Sequence, residues 1–195
     1  MVESSDQGAA RRAAIVEAAM AVFMRYGFKK TSMDDLARAA GISRQGLYLH
    51  FATKEALFKE AVSKVIEGIL EAGRAALARE DLELEERLTG LFVAVHGHAV
   101  GSAGPEHWTE LLEAAAAIVG DAADQLEASL VADLAKALRA TGVAAGWKEA
   151  GLSAKELAEH LYATSHGAKH QTKSAAAYRD KMRTAVRLVV RGSKR

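Results

Sequence analysis

"GISRQGLYLHFATKEAL", residues 41–57, sets Arg, Gln, Tyr, His and Lys in a segment long enough for one short helix and the start of another. Ser43 and Thr53 read as N-caps. Only about two helical turns lie between them, too few to persist unaided. On a helical wheel of about 100° per residue, Arg44, Gln45 and Tyr48 share one arc of about 100°. Leu47 flanks that arc on one side, Leu49 and Ile42 on the other, and Gly46 lies behind it. The spacing therefore predicts Ile42, Leu47 and Leu49 as anchors, with Gly46 admitting a close backbone approach. Phe51 packs inward only if the helix has ended before it.

The flanking sequence supplies what such a helix would lie on. From Arg11 to Tyr26, Ile15, Ala18, Ala19, Val22, Phe23 and Tyr26 recur on one helical face. Gly27 reads as a left-handed C-terminal cap, with Phe28 folding back on the last turn. Ser32 caps a second helix, with Asp34 and Asp35 in its first turn and Gly41 at its end. A fourth helix runs from Lys54 towards Arg79 with Leu57, Phe58, Ala61, Val65 and Leu70 inward. Two helices joined by a turn, the second displaying Arg and Gln, form a helix-turn-helix suited to a major groove. Arg pairs bidentately with guanine and Gln with adenine. Tyr48, His50 and Lys54 then sit where phosphate contacts fix register. The free N–H groups at the start of the second helix, beside Thr31 and Ser32, form another phosphate site. The competing readings are a solvated face for Arg44 and Gln45, and a structural role for Tyr48 and His50 against the fourth helix.

The whole chain of 195 residues carries a net charge of only +1, with 26 Lys/Arg against 25 Asp/Glu. Residues 1–60 hold nine basic and seven acidic residues, and the remainder seventeen and eighteen. Affinity for nucleic acid must then come from placed residues, since bulk charge does not supply it. One proline, abundant Ala and no period-2 alternation argue for an all-α fold. No apolar run approaches the roughly 18 residues that span a bilayer. The first ten residues are polar and read as a disordered tail. Cysteine is absent, which excludes disulfides and thiolate chemistry and is compatible with a cytoplasmic location.

The pattern "IVEAAMAVFMRYGFKKTSMDDLARAAGISRQGLYLHFATKEALF", residues 15–58, resembles the N-terminal domain of the TetR family of bacterial transcriptional regulators. Ile15, Ala19, Phe23, Gly27, Thr31, Ala37, Gly41, Leu47, Tyr48, His50, Phe51, Lys54 and Leu57 carry the match. The resemblance implies base contacts from Arg44, Gln45 and Tyr48, and phosphate contacts from Ser32, Tyr48, His50 and Lys54. Glycine at position 46 removes a side chain that often joins the readout. The implied architecture is a three-helix DNA-binding head, residues 8–68 with the helix-turn-helix proper at 32–51. A long fourth helix joins it to a helical body, residues 69–195, which dimerises and binds an effector.

Beyond that helix five more are expected: about Leu82–His96, Pro105–Val119, Asp121–Ala140, Ala154–Lys169 and Ser174–Arg191, or about nine in all. Ser153 and Glu156 form a capping box. The stripe Tyr178, Met182, Ala185, Val186, Val189 and Val190, with Leu157, Leu161, Tyr162 and Ala168, reads as a homodimer interface of the last two helices, the alternative being intramolecular core. Six of the seven histidines lie here: His96, His98, His107, His160, His166 and His170. Phe92, His96, Trp108, Leu112, Tyr162 and His166 are the candidate effector pocket, and the Gly97–Gly104 connector reads as a loop or a gate. No cofactor, metal or catalytic cluster is expected. The function read from the sequence is a ligand-responsive repressor on a palindromic operator. The alternatives are a constitutive regulator and, from His166 and His170 at i, i+4, a helical metal-binding sensor.

Overall fold

The computed structural model describes residues 2–97, 100 and 108–192, with side chains from residue 7 onward except that of residue 108. Among these residues every regular element is helical: α1 (Val2–Tyr26), α2 (Met33–Ala39), α3 (Arg44–His50), α4 (Lys54–Leu77), α5 (Leu84–His96), α6 (Trp108–Val119), α7 (Ala122–Ala140), α8 (Val143–Gly146), α9 (Ala154–Gln171) and α10 (Ala175–Gly192). A 3-10 turn, Lys148–Ala150, follows α8. None of these helices is long and apolar enough to cross a membrane. The single-turn α8 is the addition to the nine expected helices, and it folds within the connector bounded by the left-handed glycines Gly142 and Gly151. His98, His107, Pro105 and most of the Gly97–Gly104 connector lie outside the described residues.

The chain divides into two compact units, Met1–Ile66 with Ala103–Ala123, and Glu67–Ser102 with Asp124–Arg195. In the first, Ile15, Val16, Ala19, Phe23, Leu36, Ala37, Leu47, Phe51, Leu57, Phe58, Ala61 and Leu111 form one core. Phe23, Phe28 and Phe58 pack ring on ring at 4.8–5.8 Å between centroids. Helix α6 belongs to this core through Leu111, Ala114, Ala115 and Ile118, although its sequence reads with the body.

Gly27 takes φ 81°, as a left-handed cap requires. A Cβ there would also lie 2.6 Å from Glu110 Oε2, the carboxylate that accepts the Lys29 N–H at 2.6 Å.

Several expectations are corrected. The polar start is helical back to Val2, because extending an existing helix avoids the cost of nucleation. The buried stripe of α1 takes in Val16 and leaves Tyr26 exposed. Val65 on α4 is exposed, and Leu49 is 84% exposed. The stripe assigned to a dimer interface is intramolecular: Leu157, Leu161, Ala168, Tyr178, Met182, Val186, Val189 and Val190 are all buried within the second unit's own core. A single chain already supplies the opposing surface, in Leu88, Leu91 and Phe92 of α5 and Leu134 and Leu138 of α7.

That second core encloses a polar cluster. His96 Nδ1 lies 2.7 Å from Ser165 Oγ and 3.3 Å from Tyr178 Oη. Ser165 Oγ and Tyr178 Oη are 2.7 Å apart, and the tyrosine hydroxyl donates to the Phe92 carbonyl at 3.3 Å. Burial lowers the His96 pKa to about 4, assisted by Lys169, His166 and His170. Burial likewise pushes Tyr178 up to about 12. Outside this core, Arg179 and Arg183 pair with Glu86, and Arg187 and Arg191 pair with Glu85, lacing α10 to α5. These ion pairs hold both carboxyls below their ordinary range, chiefly through hydrogen bonds from Arg191 to Glu85 and from Arg179 to Glu86.

An unfolded histidine binds a proton near pH 6.5, whereas folded His96 does so only near pH 4. Stability is therefore full above pH 6.5 and falls as the pH drops towards 4. The loss is about 3 kcal/mol at most. Denaturant unfolding across this range should show that decline, and His96→Asn should flatten it between pH 6.5 and 5.

Candidate nucleic-acid interface

Helix α3 is held at both ends. Its N-cap Ser43 accepts the Gly46 N–H at 3.0 Å. A Cβ at Gly46 would meet Ser43 Oγ at 3.2 Å, with no backbone nearby, so this glycine leaves room for the cap and not for a neighbouring chain. The helix stops at His50. Phe51 turns to φ −139°, ψ 114° and so enters the core, the one way in which its side chain reaches it. Within α3 itself Leu47 is the buried residue. Leu49 points out, since the helix has a single apolar line and Leu47 holds it.

Arg44, Gln45 and Tyr48 are all exposed on α3, Tyr48 to 43%. Arg44 Nη1 sits 3.1 Å from Asp34 Oδ2 of α2 and its guanidinium 5.7 Å from the Tyr48 ring centroid. Both members of the ion pair are more than half-exposed or nearly so, and such pairs contribute at most about 1 kcal/mol. Arg44 is thus free to exchange its partner at small cost.

The residues expected at phosphates have other engagements. Thr31 is buried and its hydroxyl donates to the Gly27 carbonyl at 2.6 Å, which removes it from any ligand-facing surface. Ser32 caps α2 in a full capping box: Asp35 N–H donates to its hydroxyl at 3.2 Å, and Ser32 N–H donates to Asp35 Oδ2 at 3.0 Å. The Asp35 carboxylate, its pKa lowered chiefly by the Ser32 hydroxyl, thereby occupies the helix start where a phosphate was expected. Lys54 Nζ donates to the Phe28 and Thr31 carbonyls at 2.9 Å each and lies 4.3 Å from the Phe28 ring centroid. Two of its three protons hold the α1–α2 loop. His50 is half-buried, and its carbonyl accepts from Arg12 Nη1 at 2.7 Å.

Arg12, Glu60 and Asp34 escape sequence reading. Each meets a partner 10 to 48 positions away, and no local periodicity marks such pairs. Of the candidate effector residues, Phe92, His96, Tyr162 and His166 share one neighbourhood of the second unit. His96 lies 6.3 Å from Tyr162 and 5.9 Å from His166 between ring centroids. Phe92 is core, offering its carbonyl to Tyr178. Leu112 belongs to the first unit and is 53% exposed; the Trp108 side chain lies outside the described residues. The rings of His166 and His170 lie 5.5 Å apart between centroids at a tilt of 58°, and among the described residues no group of three or more potential ligands could hold a metal ion.

Comparison with known proteins agrees with this geometry. Residues 15–61 match the model of bacterial regulatory proteins of the tetR family. The chain is 33% identical over 92 residues to the HTH-type transcriptional repressor KstR2 of Mycolicibacterium smegmatis, covering 47% of this chain and 44% of that one. It is 32% identical over 84 residues to the HTH-type transcriptional repressor ComR of Escherichia coli, covering 43% and 40%. The chain therefore spans less than half the length of these relatives. The fold is similar to that of a TetR transcriptional regulator from Legionella pneumophila, at a TM-score of 0.64 and 16% identity over 91% of this chain and 95% of that one. E. coli NemR in its reduced form aligns at a TM-score of 0.67 and 16% identity over 90% and 94%. The domain spanning residues 15–61, with its short capped α3 braced on α2, is therefore similar to the DNA-binding domain of the tetR family of bacterial regulatory proteins.

Proposed function

We propose that this protein is a ligand-responsive transcriptional repressor that reads a palindromic operator as a homodimer. Residues 8–68 act as the DNA-binding domain, and residues 69–195 carry dimerisation and effector binding. The observation that carries this reading is α3, whose exposed face offers Arg44, Gln45 and Tyr48 while Leu47 and Phe51 fix it to the core. Arg44 and Gln45 read base edges. Ser32, Tyr48, His50 and the remaining proton of Lys54 meet the phosphates, at which point Asp34 and Asp35 give up their partners.

Dimerisation places the two recognition helices about 34–36 Å apart on successive major grooves. With the apolar stripe of α9 and α10 consumed internally, the exposed faces open to a partner copy include Ala163 on α9 and Thr184 and Leu188 on α10, the leucine 68% exposed. The effector binds in the second unit near His96, Tyr162 and His166. Helix α4, which begins in the first unit and ends in the second, carries the response to the heads. A near-complete switch requires about 10⁴-fold preference for the released conformation.

Selection of random duplex DNA by the purified chain, with Arg44→Ala in parallel, tests the reading. The expected result is a palindromic consensus that relaxes at one position per half-site in the variant, at a cost of about 1–3 kcal/mol for each lost bidentate pair. Retention that depends only on salt, with no consensus, would refute it. Removing the competing carboxylate with Asp34→Asn should raise affinity for duplexes of every sequence several-fold in an equilibrium titration, since it frees Arg44 and deletes a charge that repels phosphate. Screening small molecules by thermal unfolding should find one that raises the melting temperature with concentration and lowers operator affinity.

A further inference from the structure

One guanidinium joins three helices of the first unit. Arg12 of α1 directs Nε to both carboxylate oxygens of Glu60 on α4, at 2.8 and 3.0 Å, and its Nη2 also pairs with Glu60. Its Nη1 donates to the carbonyl of His50, the last residue of α3, at 2.7 Å. Its face lies 4.1 Å from the centroid of the Phe51 ring. The carbonyls of a helix's last turn have no partners within the helix, and that end carries partial negative charge. A cation fixed there by a fork of hydrogen bonds ties the helix end to the scaffold.

The other end of α3 is held partly by the Arg44–Asp34 pair. That pair has to open when Arg44 turns to a base, so it cannot hold the helix during reading. The Arg12 tie does not share this conflict. Glu60 balances its charge, each of its three nitrogens already donates within the first unit and one face lies on Phe51, so a phosphate would have to compete with these partners. We propose that Arg12 is a positioning residue for the recognition helix: it fixes the pose in which α3 presents Arg44 and Gln45, and does so without touching DNA. This rests on the DNA-reading function proposed above.

The test uses the full chain with Arg12→Gln and, as a control of equal charge change on the exposed neighbouring position, Arg11→Gln. Two quantities are measured: amide hydrogen exchange over residues 47–51, and the ratio of affinities for the selected consensus and a scrambled duplex over a range of salt. Arg12→Gln is expected to speed exchange in that segment about tenfold relative to α2 and to lower the affinity ratio about tenfold. The salt slope should not change. Arg11→Gln should leave both the exchange and the ratio as they are. Arg12→Lys keeps the charge but loses the fork, and should shift both quantities in the same direction by a smaller factor. It also serves as the readout if Arg12→Gln does not fold.

Unchanged exchange with an unchanged ratio would overturn the proposal. So would an equal loss for both duplexes with the salt slope reduced by about 1, the mark of a phosphate contact. If the wild-type chain prefers no sequence, the DNA-reading function itself fails, while the exchange measurement still decides whether Arg12 holds α3.

Discussion

A helix of seven residues has too few internal hydrogen bonds to offset the entropy of forming it. Everything around α3 answers that constraint. Ser43 caps its start, Phe51 leaves the helical path at its end, and Leu47 and Phe51 are driven into a core built by α1, α2 and α4. Burying two side chains of this size contributes about 1.5–3 kcal/mol each, which is what the helix lacks on its own. Arg12 then adds a charge-assisted bond at the end where the helix is weakest. The polar face is left unconstrained by packing because the apolar line on the other side does the holding.

In the first unit, acids and carbonyls of the chain engage the groups proposed above to meet phosphates and bases. Asp34 holds Arg44, Asp35 closes the start of α2, and two loop carbonyls share Lys54. The exposed pairs exchange cheaply because water screens them. The buried Thr31 hydroxyl does not, because leaving the Gly27 carbonyl would abandon a buried acceptor. Exposure thus separates the residues that can serve a ligand from those that only shape the loop, although both kinds lie within a few positions of one another.

The second unit resolves its polar groups in the opposite manner. His96, Ser165 and Tyr178 satisfy one another inside an apolar core, and among the described residues no buried side-chain polar atom lacks a partner. A neutral imidazole suits this site and a charged one does not, hence the lowered pKa. The arginines of α10 stay at the surface, where Glu85 and Glu86 receive them in turn along the helix.

The features legible in the chain's own order of residues are local in origin. The caps at Ser32, Ser43, Thr53 and Ser153, the left-handed glycines 27 and 41, and the break before Phe51 follow from contacts within four residues. The family pattern over residues 15–58 has the same character, being a set of fixed spacings. Which partner each face meets is settled only when the helices dock. Periodicity identified the stripe of α10 but could not say whether its complement lay in a second chain or in α5, α7 and α9 of the same one. It placed Leu49 beside Leu47 on the wheel, yet the core admits only one of them. Arg12 and Glu60, 48 positions apart, carry no local mark of their meeting. Long-range pairing is set by how whole helices dock, and that depends on summed apolar packing across the chain, which no short window of residues contains.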